Sequence, residues 1–143
     1  MNSSTETVFL TELAIELVGD CYWILTKPLI YSSSVYGSFI VPIGFETDLA
    51  SVPRVPFIYE LWGMRAHREA VLHDFLYCYD CQDNVSLSTA NNIFLEAMKS
   101  RKVKWWIRYP MYYGVCLIGW KFFHKRSYKE RIEKCYINNM LLS

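Results

Sequence analysis

A chain of 143 residues with fifteen basic and fourteen acidic side chains has a formal charge of +1, so no global field favours a nucleic-acid polyanion. Its length suits one domain, and a composition of 52% hydrophobic and 17% aromatic residues excludes a disordered chain. Five cysteines, an odd number, do not complete a disulfide framework, and Met1 to Glu6 lacks the basic and apolar regions of a signal peptide. The expectation is a protein made in the cytoplasm with reduced thiols.

The first sixty residues read as strands and turns. Ile15 to Val18 and Tyr22 to Leu25 flank Gly19-Asp20, a hairpin signal, and Leu29 to Tyr31 and Phe39 to Val41 flank a turn rich in Ser and Gly. Together they predict a small antiparallel sheet. Pro42 and Gly44 close the last strand, and the prolines between Asp48 and Pro56 exclude helix interior and central strand, leaving a fixed loop of the kind that carries ligands.

From Ala66 to Tyr79 the pattern turns helical, with Ala70, Val71, Leu72, Phe75 and Tyr77 forming a broad apolar face and His73 one turn from Tyr77. A second helix is expected from about Ser88, an acceptable N-cap, to Arg101, burying Ala90, Ile93, Phe94, Ala97 and Met98. Asn91 lies on the edge of that stripe. A buried amide needs partners, and if the two helices pack antiparallel the natural one is the ring of His73. A third helix is expected to start near Pro110, where proline is tolerated at the first helical position, and to run to about Phe123. Such a helix rises only about 20 Å, short of the roughly 30 Å hydrocarbon core, so it is buried or interfacial rather than spanning. The tail after Ser127 reads as a short amphipathic helix. The fold class is α+β: a small N-terminal antiparallel sheet (residues 1–60, with the motif loop) followed by three or four helices (61–143) in one domain.

The chemistry concentrates at His73-Asp74. A base and a carboxylate side by side on an otherwise apolar segment is unusual for a structural helix, because both must be desolvated. A carboxylate can place a metal beside a general base, with Asp48 as a second hard oxygen ligand from the preceding loop. A core histidine with satisfied hydrogen bonds explains the same residues more simply. Cys78 and Cys81 have the spacing of a zinc or redox pair, and His67 with His73 could complete a zinc site, although no second such pair exists and chance spacing at a helix end also accounts for it. The C-terminal third is both basic and aromatic: Trp105, Trp106 and Trp120 stand among lysines and arginines, which describes either a buried core element or a contact with a membrane surface or partner.

The segment Gly44-Phe45-Glu46-Thr47-Asp48-Leu49-Ala50-Ser51-Val52-Pro53-Arg54, followed by Ala70 to Tyr77 and by Ala90 to Met98, resembles the family called domain of unknown function 1353, over about residues 22 to 120. Members of that family are widespread in bacteriophages and prophages. The resemblance implies a phage-related origin, synthesis in a host cytoplasm and, as one outcome, incorporation into a virion among phage structural proteins; it brings no activity.

The same spacing is similar, more distantly, to the prokaryotic branch of the phospholipase A(2) superfamily. There a helix with a His-Asp pair followed by an aromatic residue packs antiparallel to a helix carrying Ala-Asp then Phe, and a later Tyr-Tyr segment leads to a glycine. His73-Asp74 with Tyr77, Ala90-Asn91 with Phe94, and Tyr112-Tyr113 leading to Gly119 match those positions. The resemblance implies a calcium-dependent lipid-ester hydrolase. His73 would deprotonate water, Asn91 would orient it, and Asp74, Asp48 and the Leu49 carbonyl would hold calcium, with Tyr77, Tyr112 and Tyr113 in support. Asn91 replaces the expected aspartate, and an amide in place of an orienting carboxylate lowers the rate on the order of 10⁴-fold in the serine-protease analogue. The alternative is therefore a phage virion, tail or host-interaction protein that keeps the scaffold without efficient chemistry.

Overall fold

The structure is a computed structural model and describes residues 6–18, 22–47, 67–78, 81, 85–121 and 123. Six short strands come first: β1 (Val8–Phe9), β2 (Ile15–Val18), β3 (Tyr22–Leu25), β4 (Leu29–Ser33), β5 (Gly37–Val41) and β6 (Glu46–Thr47). Among the described residues three helices follow, α1 (His67–Leu76), α2 (Leu87–Ser100) and α3 (Trp105–Ile118), the last running into a 3-10 turn at Gly119–Lys121. The fold is α+β.

The strands form two antiparallel sheets rather than one, with orders β1-β4-β5 and β2-β3-β6. The strand pairs expected on either side of the two turns are antiparallel, with Ile15 opposite Leu25 and Leu29 opposite Val41. The β4–β5 turn is tied by the Ser33 hydroxyl, which accepts from the Val35 amide at 3.1 Å and the Tyr36 amide at 2.9 Å. Gly37 then re-enters the strand at φ +93°, where a Cβ would strain the backbone. Phe39 and Val41 alternate inward on β5 while Ile40 faces out, and with Leu25, Leu29, Tyr31 and Phe45 they meet Val71, Leu72, Phe75 and Leu76 of α1 in the main core.

Helix α1 is not amphipathic. Seven of its ten residues are buried, Glu69 and His73 among them, because the sheet side covers one flank and α2 with α3 covers the other. Ala70 belongs to the second cluster, with Phe94, Met98, Val103, Ile107, Met111 and Val115. Contacts advance in opposite senses along α1 and α2, Tyr77 and His73 reaching Asn91 and Glu69 reaching Arg101, so the pair is antiparallel.

Two helix starts differ from expectation. The cap of α2 is Ser86, whose hydroxyl accepts from Thr89 N at 3.1 Å; Ser88 already lies in the first turn. Helix α3 begins at Trp105, placing Pro110 inside it. The apolar series Val103, Ile107, Met111, Val115 repeats every four residues, and burying its N-terminal half against α2 outweighs the one backbone bond proline forfeits. Between the helices, Lys102 takes a left-handed φ of 59°, Lys102 N bonds Lys99 O at 3.0 Å and Val103 N bonds Met98 O at 3.0 Å. This paired-bond reversal ends α2 and turns α3 back along it. Among the described residues no helix is long and apolar enough to cross a membrane. The expected tail helix after Ser127 lies outside the described residues.

Candidate active site

Helix α1 supplies His73 and Asp74 to different neighbours, and Tyr77 caps the same face one turn on. His73 is only 6% exposed, with its ring between those of Tyr77, at 4.1 Å, and Phe94, at 4.7 Å. Its Nε2 lies 3.0 Å from Asn91 Oδ1, and the Tyr77 hydroxyl donates to the same oxygen at 2.5 Å. An amide oxygen only accepts, so Nε2 carries the proton and the neutral ring presents its lone pair at Nδ1. The Asn91 amide nitrogen points to Cys116 Sγ at 3.9 Å, an exposed thiol.

Burial pulls the His73 imidazole down to about 4, with the Asn91 bond opposing the shift. The ring is therefore neutral at pH 7. Burial likewise pushes the Tyr77 hydroxyl well above the usual phenol range, so it stays a donor. Tyr77 also packs edge-on against Phe123, their centroids 5.3 Å apart. A Cβ at position 119 would collide with the Tyr77 hydroxyl, so the glycine at the end of α3 makes room for the Tyr77 to Asn91 bond.

Asp74 faces the sheet. Its carboxylate accepts from the Thr47 hydroxyl at 3.2 Å at the end of β6. A half-buried carboxylate beside a histidine is a hard oxygen donor suited to calcium. Asp48 and Leu49, the other proposed ligands, lie outside the described residues, and no group of three or more His, Cys, Asp or Glu that could hold a metal occurs among those described. That also corrects the zinc alternative: His67, His73, Cys78 and Cys81 do not gather, and the Cys78 thiol instead donates to Asp74 O at 3.4 Å, one turn back on its own helix.

Tyr112 stands next to the site rather than in it, its hydroxyl donating to Asn92 Oδ1 at 3.0 Å. Tyr113 points away, exposed and stacked on Tyr109. Trp105, Trp106 and Trp120 are all exposed. Sequence reasoning overlooked Thr47 and Cys116. The need of a buried amide for two kinds of partner was a signal for Cys116; the pairing of Thr47 with Asp74 depends on where β6 docks.

A family model for proteins of unknown function, DUF1353, matches residues 23–115. Neither the curated proteins nor the solved structures yield a match. With the match covering most of its length, the chain belongs to the DUF1353 family.

Proposed function

We propose that this chain is a phage-associated protein with a hydrolase-like site, in which His73 takes a proton from a water attacking a lipid ester. The observation that supports this most is the double acceptance at Asn91 Oδ1, from His73 Nε2 and the Tyr77 hydroxyl, which holds one tautomer of a neutral imidazole. Phe94 and Tyr77 clamp the ring so that Nδ1 keeps a fixed direction. Asp74 would hold calcium, completed by Asp48 and the Leu49 carbonyl. Calcium when bound would supply positive charge for a developing oxyanion.

The same geometry limits the rate. A base at about 4 is a weak acceptor at neutral pH, and an amide stabilises the imidazolium far less than a carboxylate. Those two facts favour a second reading, a virion, tail or host-interaction protein that retains the scaffold. The purified full chain separates the two: release of acid from soluble short-chain esters and from phospholipid vesicles, for wild type, His73→Ala and Asn91→Asp, with calcium and with chelator. Turnover in wild type or Asn91→Asp that His73→Ala abolishes supports the hydrolase. Equal background in all three leaves the scaffold reading.

A further inference from the structure

Helix α3 buries one face and leaves the other bare. Ile107, Met111 and Val115 are buried against α2, while Trp106 (50% exposed), Tyr113 (59%), Leu117 (75%) and Trp120 (62%) face solvent. Their spacing of seven, four and three residues aligns them along the helix, a stripe about 21 Å long with an indole at each end. The Lys104 ammonium sits 4.9 Å from the Trp106 ring centroid and the Lys121 ammonium 5.6 Å from that of Trp120. From Ala97 to Lys129 the sequence has nine lysines and arginines and no aspartate or glutamate.

We propose that this face docks flat on an anionic lipid surface. An apolar stripe with cations and tryptophans at its ends matches the boundary between headgroups and acyl chains, where rings and ammonium groups stay at the polar level and leucine goes deeper. The charge decides against other occupants. A second copy apposing the same face would set lysines against lysines, with no aspartate or glutamate among the described residues from Ala97 to Phe123 to neutralise them. A nucleic acid would satisfy the cations but leave Leu117 wet. The proposal does not rest on His73, and the cation-rich face attracts phosphatidylglycerol or phosphatidylserine headgroups by charge alone.

The test is flotation of the full chain with phosphatidylcholine vesicles, with and without phosphatidylglycerol, together with tryptophan emission. Binding to anionic vesicles with a blue shift is expected. Leu117→Gln should weaken it about ten-fold, and Lys104→Gln or Lys121→Gln about five-fold each. These side chains are exposed, so circular dichroism should stay unchanged, and His73→Ala should bind vesicles like wild type while losing any ester turnover. Absence of flotation, equal affinity for neutral and anionic vesicles, no effect of Leu117→Gln, or a dimer in solution that the same substitution dissociates would each overturn the proposal.

Discussion

Asn91 Oδ1 lies 3.0 Å from His73 Nε2, across the seam between two antiparallel helices and beneath the 6% exposed imidazole. That contact orients the ring, while the burial around it keeps the histidine neutral and makes the protein's stability depend on pH.

Folding lowers the His73 value from 6.5 to about 4. Between those values the unfolded chain binds a proton that the folded chain refuses, so the stabilising effect is complete above about 6.5 and is lost as pH falls toward 4. The slope is about 1.4 kcal/mol per pH unit within the window, levelling off below it. The difference in stability between wild type and His73→Gln, from denaturant melts between pH 7 and 4, should follow this slope; parallel curves would remove the depressed histidine.

Replacing the amide by a carboxylate should act on the base directly. Asn91→Asp places a negative charge against Nε2, so the imidazole value should rise. If the hydrolase reading is right, ester turnover should rise by decades rather than a few-fold. A higher histidine value with no turnover would point to the scaffold reading.

At the end of α3, Gly119→Ala would press a methyl onto the Tyr77 hydroxyl, whose ring is held by His73 and Phe123. The expected cost is about 1–3 kcal/mol. In a Tyr77→Phe background the penalty should shrink, because the clashing oxygen is gone; equal penalties in both backgrounds would place the strain elsewhere.

The antiparallel pair and its buried seam were legible in the sequence. The apolar run around His73 predicts a helix with a broad buried face, and an amide on the edge of a buried stripe predicts a partner. The two sheets were less legible, because β1 and β6 are two residues each and owe their place to pairing with β4 and β3 rather than to any pattern of their own. The α3 start was misread because local rules put proline at a first turn, whereas the four-residue repeat from Val103 to Val115 is a tertiary demand. Thr47 beside Asp74 joins positions 27 residues apart and leaves no local trace.

Beneath the helices, Arg101 donates to both carboxylate oxygens of the fully buried Glu69, at 3.3 and 3.1 Å. Burial already raises the Glu69 carboxyl above its ordinary value, opposed by the guanidinium. Arg101→Met should destabilise by about 1–3 kcal/mol at neutral pH. The loss should diminish as pH falls and Glu69 takes up a proton; a loss constant with pH would show that the pair contributes packing rather than charge.

At the α2 to α3 reversal, Lys102 holds a left-handed backbone that glycine adopts without strain. Lys102→Gly should therefore raise stability by up to about 1 kcal/mol in urea melts. A destabilised variant would indicate that the lysine side chain itself supports the turn.

Burial keeps His73 neutral, and Asn91 Oδ1 against Nε2 leaves its lone pair at Nδ1. Nitrogen-15 chemical shifts of the His73 ring, followed with pH in the folded wild type and in Asn91→Asp, test this most directly. A protonated Nε2 and a bare Nδ1 at pH 7, titration near 4 in wild type, and an upward shift in Asn91→Asp are expected. A proton on Nδ1 at pH 7, or titration at the ordinary histidine value in both chains, would contradict this.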